Sequence, residues 1–134
     1  MIKPRTTPKE QVLNIDIAPT MLEMAGVAVP KENHGRSMVP VLQGNAKDWR
    51  KDWLYEYYEY PQPHRVPAQR GVRSEKWKLI HYFEQKPEEF ELYDLEKDPK
   101  EMVNLYGKPE YEEVAKQLKV RIADLRRETG DLPK

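Results

Sequence analysis

Tyr111, Ala115, Leu118, Ile122 and Leu125 step along the chain by four, three, four and three residues, which sets all five on one side of an α-helix. Pro109 suits the first turn of this helix and Gly130 its end. Glu110, Glu112 and Glu113 fall where the helix dipole favours anions, and Arg126 and Arg127 where it favours cations. A stripe this long needs an apolar surface to cover it. The chain upstream offers short alternating runs and no second long helix.

Those runs read as strands. "WLYEYYEY", 53 to 60, is rich in residues that suit a pleated surface, with Leu54, Tyr58 and Tyr60 on one parity and Tyr55 and Tyr57 on the other. "RGVRSEKWKLIHYF" resembles a hairpin turning near Ser74 to Lys76, with Trp77, Leu79, His81 and Phe83 alternating against Lys78, Ile80 and Tyr82. Phe90 to Tyr93 supplies a fourth strand. The three prolines of "PQPHRVPAQ", 61 to 69, cannot pair continuously and make that stretch a loop. The expected fold is α+β: a four-stranded antiparallel sheet packed against a long C-terminal helix, preceded by short helices.

The short helices lie near the start. In "NIDIAPTMLEMAG" Asp16 is placed to cap, Pro19 fits a first turn, and Ile17, Met21 and Met24 recur at helical spacing before Gly26. Gly35 and Ser37 then open a brief apolar turn, Met38 to Leu42, that Gly44 closes. Downstream, Asp98, Pro99 and Glu101 have the order of a cap, a first position and a capping-box partner, which predicts a helical turn after the fourth strand.

Composition removes several classes of function. With 23 basic and 23 acidic residues the formal charge is zero, so no global field draws the chain to nucleic acid or to an anionic membrane. Without cysteine there is no disulfide, thiolate metal site or cysteine nucleophile, and the redox compartment stays undetermined. No run approaches 18 apolar residues and the first ten residues lack an apolar h-region, so neither a membrane span nor a signal peptide is expected.

Residues able to carry chemistry are sparse. His34, His64 and His81 stand 30 and 17 residues apart, with no HxH or HxxxH pair to hold a metal. His81 shares the parity of Trp77 and Leu79 and reads as a core-edge histidine bonded to a neighbour. Neither Ser37 nor Ser74 lies in a G-x-S-x-G elbow, and no catalytic or metal-binding residue can be assigned. The densest polar cluster is "PHRVPAQRGVR", where His64, Arg65, Arg70 and Arg73 gather in and beside a proline-braced loop. Arginine forks there suit sulfate, phosphate or carboxylate oxygens. The competing reading pairs these arginines with the glutamates of "YEYYE".

Four stretches, "LNIDIAPTMLEMAGVAVP", "GRSMVPVLQG", "RGVRSEKWKLIHY" and "ELYDLEKDPKEMVNLY", together resemble the C-terminal end of the type I sulfatases, formylglycine-dependent enzymes of the alkaline phosphatase-like superfamily. The resemblance spans residues 12 to 128. It implies that residues 1–48 are a lead-in and the closing helices of a large α/β domain, and that 49–134 form the smaller C-terminal subdomain. It further implies a sulfuric ester hydrolase as parent, with calcium and a formylglycine made from Cys or Ser in a C/S-x-P-x-R motif. This chain has no such motif.

The chain is therefore expected to be inactive alone and to partner an N-terminal sulfatase domain, supporting it and shaping its substrate pocket. Family members place the loop matching "PHRVPAQRGVR" over the active-site mouth, which makes His64 and Arg65, with Arg70 and Arg73, the candidate contacts to a sulfated glycan or other sulfate ester. The alternative is a stand-alone module that binds anionic glycans or assembles, the apolar stripe of the first helix leaving a homodimer open.

Overall fold

The computed structural model describes residues 5, 7–59 and 66–132. The chain divides into two compact units, Met1–Lys51 and Asp52–Lys134.

In the first unit a 3-10 turn at Asn14–Asp16 leads into α1, Ile17–Met24, and α2 follows at Val39–Leu42. Asp16 departs from its expected role. Its side chain makes no cap bond to α1. It is fully buried and accepts hydrogen bonds from the amides of Leu13 at 2.7 Å and Arg36 at 2.8 Å. The Arg50 guanidinium adds a bidentate pair to the same carboxylate. Burial works to raise the Asp16 pKa, yet Arg50 and the two amides prevail and hold it below the ordinary carboxylate value. One carboxylate thus ties its own segment to two others that lie 20 and 34 residues away along the chain. Ile17, Met21 and Met24 keep an exposed apolar face on α1.

The second unit is the expected sheet and helix. Strands β1, Asp52–Tyr57, β2, Gln69–Ser74, β3, Trp77–Tyr82, and β4, Glu89–Asp94, pair antiparallel in sequential order. The first strand stops at Tyr57, which faces Gln69, short of the Tyr60 anticipated from composition. The Ser74 hydroxyl closes the β2–β3 turn, accepting from the Trp77 amide at 2.9 Å.

After a 3-10 turn at Pro109–Tyr111 comes α3, Glu112–Glu128. Ala115, Ile122 and Leu125 of α3 bury against Val72, Leu79 and Leu92 of the sheet. A leucine sealed in this way contributes about 1.5–3 kcal/mol. Arg121 fastens the other side of α3 to β1, donating to Asp52 at 2.7 and 2.9 Å.

The sheet's far face is covered more thinly. Gly71 is required there, because a Cβ would stand 2.4 Å from the Leu79 carbonyl oxygen and 2.5 Å from the Tyr55 ring. Burial pushes the Tyr55 phenol up, and burial with Glu91 carries Tyr82 up to about 12. The segment after β4 forms no helical turn. Asp98 instead accepts from the amides of Met102 at 2.7 Å and Val103 at 2.8 Å, and Glu101 takes a φ of 56°. Asn104 and Leu105 then bond to the backbone of Phe90 and Leu92 and close the β4 edge.

Candidate functional site

Of the four candidate residues, His64 and Arg65 lie outside the described residues. Arg70 and Arg73 sit on β2, and their parity in the strand separates them. Arg73 faces the side of the sheet that carries Trp53 and Lys78, its cross-strand neighbours. Arg70 faces α3, so a single loop-side cluster of arginines does not form on this strand.

Arg70 belongs instead to a cross-strand row. The register aligns Glu56, Arg70, His81 and Phe90 on the helix-facing side, one rung beyond the buried row of Leu54, Val72, Leu79 and Leu92. Lys119, Ile122, Ala123 and Arg126 of α3 close over it at helical spacing. Between helix and sheet lies a cleft of about 310 Å³, lined also by Glu88.

The charges in this cleft are loosely paired. The Arg70 Nε is 3.7 Å from Glu56 Oε1, and neither atom has a hydrogen bond although both are buried. The Arg70 guanidinium lies 4.0 Å over the Phe83 ring, a cation–π contact. His81 Nε2 is 3.3 Å from Glu88 Oε2, an ion pair when His81 is protonated, with the neighbour expected of a core-edge histidine but without a well-formed hydrogen bond. Burial lowers the His81 pKa, Glu88 opposes this, and the charges of Arg70 and Lys119 add to the lowering.

An aromatic stack borders the cleft, with His81 on Phe90 at 4.3 Å and Phe90 on Tyr106 at 4.9 Å between ring centres. The Lys119 ammonium sits 3.8 Å over Phe90 and donates to the Tyr106 hydroxyl at 2.6 Å. Arg126 is paired with Asp131. A second cleft of about 490 Å³ adjoins across Lys119, lined by Tyr106, Lys108, Glu112 and Lys116. Sequence reasoning assigned Arg126 to the helix dipole and passed over Lys119. The signal was present in the 119, 122, 126 spacing beside the apolar stripe.

Among the described residues no three His, Asp or Glu side chains converge where a metal could be held, and no helix is long and apolar enough to cross a membrane.

Comparison with known proteins identifies the family of the chain. Residues 1–128 match the family model described as N-sulphoglucosamine sulphohydrolase, C-terminal. The chain is 41% identical over 133 residues to an N-acetylglucosamine-6-O-sulfatase of Bacteroides thetaiotaomicron, covering 97% of this chain and 24% of that protein. A Delta 4,5-hexuronate-2-O-sulfatase of the same bacterium is 33% identical, with 92% and 26% covered. A solved complex of a protein with its substrate D-glucosamine-2-N,6-O-disulfate superposes with a TM-score of 0.81 at 40% identity, covering 88% of this chain and 24% of that one. The chain thus spans about a quarter of the length of the relatives it matches. It belongs to the N-sulphoglucosamine sulphohydrolase C-terminal family, the C-terminal domain of sulfatases.

Proposed function

We propose that the chain acts as the C-terminal subdomain of a complete sulfatase that hydrolyses a sulfated saccharide. The observation that carries this is one of extent: the match runs over nearly the whole chain yet over only 24% of an N-acetylglucosamine-6-O-sulfatase. A formylglycine and a calcium ion would come from the remaining part of such an enzyme, to polarise and attack the sulfate ester. The chain's own part is to support that domain and to shape the substrate pocket with residues 61–69. His64 and Arg65 are the contacts proposed for the saccharide. Arg70 and Arg73 are the further candidates: Arg70 lines the cleft described above, while its place opposite Glu56 fits the competing reading of a structural pair with the glutamates of "YEYYE". The exposed Ile17, Met21 and Met24 of α1 are the surface proposed to meet the upstream domain, and a homodimer through the same face is the alternative.

The test is a comparison of the complete protein with this chain alone, against a 6-sulfated glucosamine and an aryl sulfate with calcium present. The chain alone should give no turnover on either substrate. In the complete protein, His64→Ala should lower kcat/KM for the sulfated sugar while sparing the aryl sulfate. Equal loss on both would overturn the pocket-shaping role. A complete protein that sediments as a monomer supports the upstream domain as the cover of α1, and a dimer dissolved by Met21→Glu overturns it.

A further inference from the structure

Buried charges in this protein can be fully partnered: Asp16 holds two amides and a bidentate arginine. The rung of Glu56, Arg70 and His81 is built otherwise, since Arg70 Nε, His81 Nε2 and Glu56 Oε1 are all buried without a hydrogen bond. Buried polar groups without a well-formed hydrogen bond are destabilising, and a bound polar group would relieve that.

Basic side chains outnumber acidic ones around them. The two adjoining clefts are lined by Arg70, Arg126, Lys108, Lys116 and Lys119 against Glu88 and Glu112, with Arg126 already paired to Asp131 and Arg70 3.7 Å from Glu56. Lys119 stands at their junction with a neutral hydroxyl as its hydrogen-bond partner. Glu88 is largely exposed, at 61% of its side chain, and its carboxylate stands 3.3 Å from His81 Nε2.

We propose that these two clefts form a non-catalytic binding site for an acidic oligosaccharide, its sulfo or carboxylate groups held by Arg70, Lys119 and Arg126 after displacing Glu88. The oxyanion chemistry follows from the charges and open donors alone, and the choice of a saccharide rests on the sulfatase reading above. Clefts of about 310 and 490 Å³ are the size of ordinary ligand sites. The His81, Phe90 and Tyr106 rings stack on one another and hold Lys119 over Phe90 at the border of the clefts.

The 134-residue chain, titrated calorimetrically at 150 mM salt, decides the matter. The probes are a heparin-derived tetrasaccharide, the same tetrasaccharide desulfated, and neutral chitotetraose. The sulfated probe should bind, the desulfated one should bind more weakly through its carboxylates, and chitotetraose should not bind. Lys119→Gln should weaken the sulfated probe about tenfold, the value of one charge-assisted hydrogen bond, and Lys119→Arg should restore it. Glu88→Gln should tighten binding, an effect no merely structural role of Glu88 produces.

Binding indifferent to both Lys119→Gln and Glu88→Gln, or no binding by a chain that melts cooperatively, overturns the site. An acidic peptide or oligonucleotide of equal charge that binds as tightly overturns the assignment to saccharide. Failure here is separate from failure of the pocket-shaping role, which is read from turnover by the complete protein carrying His64→Ala.

Discussion

Two neighbouring rungs of one sheet face the same helix and are built for different ends. Leu54, Val72, Leu79 and Leu92 form one; Glu56, Arg70, His81 and Phe90 form the next, two residues along each strand. The first is sealed, with Val72, Leu79 and Leu92 fully buried. The second keeps polar atoms away from water without satisfying them. Strand parity and helix cover are common to both, so the difference comes from side-chain chemistry alone. A sheet that can close one rung by packing has no architectural need to leave the next one open.

The largest effect should come from breaking the sealed rung. Leu79→Ala removes a fully buried side chain beneath α3 and should cost about 3 kcal/mol, within the 2–5 kcal/mol range for such truncations. Chemical denaturation of the chain would measure it as a lower midpoint at unchanged slope. A loss below about 1 kcal/mol would mean that this rung is not the centre of the core.

The polar rung should respond in a different manner, through pairing rather than volume. Arg70→Ala strands the half-buried Glu56 carboxylate and should cost about 1–3 kcal/mol. Replacing both partners by leucine removes the stranded charge together with the open donor, so the double variant should be more stable than Arg70→Ala. Equal losses for single and double variants would show that the stacking of the Arg70 guanidinium over Phe83, rather than its pairing with Glu56, is what the fold uses.

How much of this was legible beforehand differs between the rungs for the same reason. The stripe of Ala115, Leu118, Ile122 and Leu125 along α3, with Tyr111 in the turn before it, and the alternation of Trp77, Leu79 and His81 are local patterns, and they point to the helix, the strands and the sealed rung. Asp16 was misread as a cap because its true partner, Arg50, is 34 residues away and leaves no periodic trace. Asp98 serves the amides of Met102 and Val103 in a non-helical turn, where the spacing to Glu101 suggested a capping box. Arg70 stood out by arginine density, whereas Lys119 and Arg126 looked like the solvated flank of a helix. Only the register, which pairs Arg70 with His81 and His81 with Phe90, brings them to one place.

The smallest effect is the pH dependence of the polar rung. His81 has a pKa held below its ordinary value of 6.5, by burial first, with Arg70 and Lys119 adding to the effect and Glu88 opposing it. Arg126 of α3 lines the same cleft, and Glu56 of β1 stands next to Arg70 in the same rung. The unfolded chain therefore binds a proton at His81 more readily than the folded one does. Its contribution to stability is complete above about pH 6.5, declines as the pH falls below that value, and levels off once the folded histidine is itself protonated. His81→Phe should remove this decline while leaving the carboxylate-driven loss at lower pH, including that of Asp16, whose depressed pKa makes its contribution vanish only under acid. Denaturation midpoints of the two proteins between pH 7.5 and 5 should thus draw apart as the pH falls, with the His81→Phe protein losing less. Parallel curves would place the acid sensitivity of this interval elsewhere and leave His81 as an ordinary ring stacked on Phe90.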